Sequence, residues 1–180
     1  TYGMKRVSPL VIPQLTSNQA ASVISIKYDM RGPTMSLNTA CSSGADAIGH
    51  AVRAIQSGQC KMMIAGGAEH VLSPLAIAAF GNMRALAQWP GDPVEASRPF
   101  DAQRCGFVMA EGSGMLVLEE RSHALQRGAD IYAEIVGYAA TNDAYHTVAI
   151  HPDGRGAHAA LMHAIDEAGC MPHDIGYINA

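Results

Sequence analysis

Charged side chains are scarce in this sequence, at 16% of 180 residues against about a quarter in typical soluble domains. The net charge of −4 leaves no electrostatic footprint for nucleic acid; an acidic protein partner would need a local basic patch. Long apolar runs are missing too. The longest apolar region, 72–87, is interrupted by Pro74, Gly81 and Arg84, so no membrane span is expected. No signal-peptide pattern is read, and the start on Thr1 together with a strand-like end leads us to expect an internal fragment of a longer protein. Four cysteines at positions 41, 60, 105 and 170 form no Cys-x-x-Cys pair, which argues against a zinc site and against a dense disulfide framework. Reduced thiols in a cytoplasmic enzyme fit best. The histidines show no metal spacing, since His158 and His163 do not share a helix face. Gly112-Ser113-Gly114 lacks the Lys-Ser/Thr and helix start of a phosphate loop. No cofactor and no metal are expected, and no short-period repeat is visible.

Apolar residues, by contrast, make up 48%, and there are 18 glycines. Such a chain either buries an unusual fraction of itself or reserves apolar surface for another subunit or another part of the same protein. Its patterning alternates helices and strands. After a connecting segment at 1–13, a helix runs to about Tyr28 with Asn18 or Ser17 as cap, and Arg31-Gly32-Pro33 ends it. A strand to Thr39, a helix from Ala45 to about Gln56 and a continuous apolar strand at 60–65 follow. Gly66-Gly67-Ala68 reads as a turn, 73–87 as helix broken near Gly81, and 88–103 as a loop. Strand returns within 106–119, then a short helix at 121–128, a strand at 131–137, an amphipathic helix at 154–169 with Ala159, Leu161, Met162 and Ile165, and a strand from Ile175 to Asn179. This alternation predicts an α/β fold.

One cysteine occupies a special place in that pattern. Cys41 stands where a strand passes into a helix, in Asn38-Thr39-Ala40-Cys41-Ser42-Ser43-Gly44-Ala45-Asp46. Unpaired N–H groups and the positive end of the helix dipole favour a thiolate there, and the same groups can bind an oxyanion. Small neighbours leave room for a substrate. A lone cysteine is more often a small core residue, so the junction itself carries the functional reading.

The segment Thr39-Ala40-Cys41-Ser42-Ser43-Gly44 resembles the nucleophile segment of the β-ketoacyl-acyl carrier protein synthases, the ketosynthases of the thiolase superfamily. Further segments resemble the elongating, type II-like branch in the same order. They are Arg31-Gly32-Pro33, Ala65-Gly66-Gly67-Ala68-Glu69, Phe80-Gly81, Ser97-Arg98-Pro99-Phe100-Asp101, Gly106 to Gly114, Leu118-Glu119-Glu120, Asp143-Ala144-Tyr145-His146 and Tyr177-Ile178-Asn179-Ala180. The resemblance covers essentially the whole chain. It implies a partial thiolase-like layered α-β-α-β-α fold. Residues 1–130 would belong to the N-terminal half that carries the nucleophile, and 131–180 would begin the C-terminal half.

By the same resemblance, Cys41 holds an acyl group as a thioester, and malonyl-acyl carrier protein loses CO2 to give the carbanion that lengthens it. The partners implied are acyl carrier protein in its acyl and malonyl forms and a second copy in a homodimer. Two histidines and a lysine serve the second half-reaction in the family. The first histidine is expected immediately after Ala180, so the fragment alone is expected to lack condensing activity. His146 is a tempting local base, yet a histidine near an aspartate is more often a loop residue satisfied by hydrogen bonds. The resemblance favours a third reading, in which Asp143 and His146 flank and gate the pantetheine entrance. Phe80 would border the acyl pocket or, equally, be a core aromatic. Arg84 is a weak candidate contact for the carrier protein. His151 reads as a turn residue, and Glu111 and Glu119-Glu120 as structural or solvated. Competing readings are a polyketide ketosynthase and, from another class, a non-catalytic dimerisation or carrier-binding module. The chain-length-factor relatives ordinarily lack the cysteine.

Overall fold

The computed structural model describes residues 6–179. The chain divides into two compact units, one combining Thr1–Ala65 with Leu116–Ala180 and the other Gly66–Met115. In the first unit, α1 (Val11–Leu15) and α2 (Gln19–Tyr28) precede a 3-10 turn at Ala40–Ser42 that runs directly into α3 (Ser43–Gln56). The chain then forms β1 (Met62–Glu69), α4 (Pro74–Asn82), β2 (Gly112–Glu119), α5 (Arg121–Gln126) and α6 (Arg155–Ala168). Two further 3-10 turns lie at Pro93–Glu95 and Pro172–Asp174. Val11–Leu15 is helical where a connecting segment is expected.

β1 and β2 form a two-stranded antiparallel ladder. At its first-unit end the Glu120 N–H donates to the Lys61 carbonyl at 2.9 Å. In the second unit Gly66 stands so close to the Gly114 carbonyl and the Met115 backbone that a Cβ would overlap them. Gly66-Gly67-Ala68 therefore lies inside β1 rather than forming the expected turn: glycine here admits a neighbouring backbone. Gly106, at φ +139, is likewise wedged against 85–87 beside the isolated bridge from Leu86 to Phe107.

Three expected strands, ending at Thr39 and spanning 131–137 and 175–179, make no ladder among the described residues. A strand needs a partner for its N–H and C=O groups, and the ends of the first two segments meet other groups instead. The Thr39 N–H donates to the Ser43 hydroxyl at 2.9 Å. At the end of 131–137, Gly137 presses on the Ala164 carbonyl of α6, and the next N–H, of Tyr138, donates to the Glu167 carboxylate at 3.1 Å.

The core of the first unit is made of small side chains. Gly49, Ala51 and Ala54 of α3, Ala65 of β1 and Ala124 of α5 are buried. β1 is otherwise half-covered rather than buried on both faces. α6 turns Met162, Ala164, Ile165 and Ala168 to its covered side while Leu161, an expected member of that face, is exposed. Left-handed Gly154 and Gly169 bracket it, the conformation glycine adopts at lowest cost.

Candidate active site

Cys41 is exposed at the centre of the Ala40–Ser42 turn, immediately before α3. Ala40 has φ +55, a left-handed conformation unusual for a residue with a Cβ. Side chains on both flanks hold that turn. Ser43 donates its hydroxyl to the Ala40 carbonyl at 2.7 Å. The Ser42 hydroxyl lies 2.9 Å from the Thr39 carbonyl, 3.0 Å from the Thr39 hydroxyl and 3.0 Å from Asp46 Oδ2. Thr39 donates its hydroxyl to the same Asp46 oxygen. No side chain caps the N-terminus of α3, so the helix-start N–H groups and the positive end of the dipole lie next to an accessible thiol.

Asp46 is the hub of this network. It sits in the first turn of α3 and receives Thr39, Ser42 and, through its other oxygen, the Tyr138 hydroxyl at 2.7 Å. The Thr39 and Tyr138 hydroxyls hold its carboxyl below the usual carboxylate range, against the opposing effect of burial. Burial first, and then the hydrogen bond to Asp46, push the Tyr138 hydroxyl up to about 12. Tyr138 remains the donor.

The predicted residues Asp143 and His146 share one loop, tied back on itself. Asp143 Oδ2 accepts the His151 N–H at 2.9 Å, and its backbone carbonyl accepts from Arg155 at 3.2 Å. His146 Nδ1 accepts the N–H groups of Val148 at 3.1 Å and Ala149 at 3.0 Å, so the ring's proton is assigned to Nε2. His151 Nδ1 in turn accepts from the Asp153 N–H at 3.2 Å, and the Tyr145 ring meets the His151 ring edge-on. No hydrogen bond joins Asp143 or His146 to Cys41 among the described residues. Phe80 is half-buried on α4, in the second unit. A depression of about 540 Å³ lined by Met35, His50, Arg53, Ala54, Gln56, Ser57 and Gln59 includes none of the predicted site residues. Among the described residues no group of three or more His, Cys, Asp or Glu could hold a metal ion.

Tyr138, Gly49 and Asp46 are absent from the sequence-level site. Asp46 and Gly49 carry a partial signal, being three apart on one helix face beside the cysteine. Tyr138 lies far along the chain, and nothing in its own neighbourhood marks it.

Cys41 is thus an accessible thiol at a braced helix start, set among helices and a two-stranded sheet. Two solved structures establish the fold. A type II polyketide synthase ketosynthase, solved in complex with its acyl-carrier protein and bound to the hexaketide, superposes with a TM-score of 0.94 at 34% identity over 99% of this chain and 44% of that one. A β-ketoacyl synthase from Burkholderia phymatum gives 0.91 at 37% identity, covering 99% and 43%. The chain thus carries part of the thiolase-like α/β fold.

Residues 1–124 match the family described as beta-ketoacyl synthase, N-terminal domain, and residues 132–180 match its C-terminal domain. The chain belongs to the beta-ketoacyl synthase family. It is 49% identical to 3-oxoacyl-acyl-carrier-protein synthase 2 of Synechocystis over 99% of this chain and 43% of the relative. It is 48% identical to the synthase 2 of Rhizobium meliloti over 99% and 42%, and 46% identical to the mitochondrial synthase of Arabidopsis thaliana over 98% and 39%. It therefore spans about two-fifths of the length of these curated relatives. No helix among the described residues is long and apolar enough to cross a membrane.

Proposed function

We propose that this chain is the nucleophile-bearing part of a β-ketoacyl synthase that extends acyl groups in fatty acid biosynthesis. The observation that carries the reading is Cys41, exposed beside the uncapped start of α3. Its thiolate attacks the carbonyl of an acyl thioester and expels the carrier thiolate. The product is another thioester, so the exchange is near isoenergetic and the cysteine can hold the chain. Malonyl carrier protein then loses CO2, and the resulting carbanion attacks the Cys41-bound carbonyl, forming a carbon–carbon bond and releasing the Cys41 thiolate. The N–H groups beside Cys41 suit the oxyanion formed in each attack.

Residues 1–130 are assigned to the N-terminal half of the fold and 131–180 to the start of the C-terminal half. The break between the family matches, after 124 and before 132, supports that join. Asp143 and His146 are assigned to a loop at the substrate entrance. Their polar groups serve the loop's own shape, which suits gating better than a His146 general base. Phe80 is assigned to the acyl-pocket border. Partners are acyl carrier protein and a second copy of the enzyme, and free cysteines fit a reducing, cytoplasmic setting.

A polyketide ketosynthase is the second reading, supported by the TM-score of 0.94; the higher identity to fatty-acid-type synthases favours the first. The test uses the intact protein that contains this chain, incubated with acyl-acyl carrier protein. A mass increase on the Cys41 peptide, absent in Cys41→Ala, is expected. Carrier binding without acylation would instead make the protein a non-catalytic module, and acyl-chain profiling separates the two enzyme readings.

A further inference from the structure

Tyr138 is held against α3 and α6 at four points. Its hydroxyl donates to Asp46 at 2.7 Å. Its ring lies so close to Gly49 that a Cβ there would overlap it. Its N–H donates to Glu167 at 3.1 Å and its carbonyl accepts from Arg53 at 3.2 Å. Arg53 and Glu167 are themselves paired, one bond being 2.7 Å. Asp46, Gly49 and Arg53 recur at helical spacing, so one stripe of α3 is shaped to receive this single tyrosine. At the top of the stripe, Asp46 passes the grip to Thr39 and Ser42, the polar neighbours of Ala40-Cys41.

We propose that Tyr138 is a positioning residue for Cys41: through Asp46 it braces the strained Thr39–Ser43 turn and so fixes where the thiol stands relative to the start of α3. The need for a brace follows from Ala40, whose left-handed backbone would relax if its flanks were free. Thr39 and Ser42 alone would leave Asp46 free to turn with them. Tyr138, anchored on α6 as well as α3, gives the carboxylate a fixed reference. Because acyl transfer depends on the thiol meeting the carbonyl within a narrow range of geometry, a small displacement costs rate rather than substrate affinity.

This inference rests on Cys41 being the acyl-bearing nucleophile, and its test separates the two. In the intact protein, single-turnover acyl transfer from acyl-acyl carrier protein is measured per titrated thiol for Tyr138→Phe, Gly49→Ala, Asp46→Ala and Asp46→Asn. Tyr138→Phe is expected to lower the limiting rate roughly tenfold, the scale of one hydrogen bond to a charged acceptor, with half-saturation unchanged. Gly49→Ala, which displaces the ring and keeps the hydroxyl, is expected to match it. Asp46→Ala is expected to be slower still, and Asp46→Asn, which keeps one acceptor oxygen and sets an NH2 donor on the other side of the network, to fall between Asp46→Ala and wild type. Unchanged limiting rates in Tyr138→Phe and Asp46→Ala overturn the proposal, even if both melt earlier. So does a Gly49→Ala that keeps the wild-type limiting rate, because the ring would then be displaced without consequence for the thiol. Iodoacetamide alkylation of Cys41 is scored in parallel and should fall several-fold in Tyr138→Phe. If the wild-type protein accepts no acyl group, the functional reading fails, while the alkylation comparison still decides the brace.

Discussion

At the scale of single residues, the ionisable groups of this chain work mainly as clasps. Glu119, at the end of β2, has a side chain only 8% exposed. It pairs with Arg127 at 2.7 Å and meets His123 one turn along α5. Arg127 first, and His123 after it, hold its carboxyl at about 2. A folded-state value below the ordinary 4.5 means that the contribution to stability is fully present above that ordinary value and is lost as pH falls toward about 2. Glu119→Gln should therefore be less stable than wild type near neutral pH, with the gap narrowing at about pH 3. Urea unfolding of the intact protein at the two pH values checks this, and a gap of constant size would exclude the clasp. Asp46 follows the same sign, yet its importance is positional, because its partners flank the nucleophile. From the sequence, Glu119-Glu120 reads as structural or solvated; its partner Arg127 is visible as a helix-end arginine, but burial of the pair is a property of the fold.

At the scale of elements, the sheet is governed by glycine. Gly66 brings β1 against the Gly114 carbonyl, and a methyl group there would meet backbone that cannot rotate away. Gly66→Ala should destabilise the intact protein by about 1–3 kcal/mol, the cost of overpacking, whereas Gly32→Ala, whose Cβ would meet nothing, should be near neutral. Denaturant midpoints of the two variants test the contrast. Helices were the legible elements: α3 and α6 fall where small-residue patterning and bracketing glycines place them. Gly66-Gly67 was misread because glycine signals both a turn and a close strand approach, and sequence spacing does not separate the two. The segments at 34–39 and 131–137 carry strand-like composition, but a ladder is made by a partner; the Thr39 N–H reaches the Ser43 hydroxyl instead, and the residue after the second segment, Tyr138, reaches Glu167. In the same way Cys41 was legible as a nucleophile candidate from its junction, while the Tyr138 brace, a contact between residues 92 positions apart, was not.

At the scale of the whole molecule, scarce charge and abundant apolar residues pose a choice between unusual burial and apolar surface held for a partner. The chain exposes 14329 Å², where a folded monomer of this size would expose about 8,300 Å². Unusual burial is thereby excluded. Exposed apolar side chains occur in both units: Ile26, Tyr132 and Ile150 in the first, Leu75 and Val94 in the second. Monomers rarely leave so much apolar area in water. The chain spans about two-fifths of the length of its relatives, and under the proposed function the rest of the enzyme and a second copy would cover these faces. Residues 1–180 produced alone should therefore bind an apolar-surface dye and self-associate at micromolar concentration, while the intact protein should do neither beyond a defined dimer. Sedimentation with dye fluorescence checks this, and a dye-silent monomer would show that the exposed faces close on one another. Because α3 contributes Gly49, Ala51 and Ala54 to the buried core of the first unit, such association should also decide whether the Cys41 turn keeps its geometry. Alkylation of Cys41 in the isolated chain should consequently be slower than in the intact protein, although the thiol is at least as accessible.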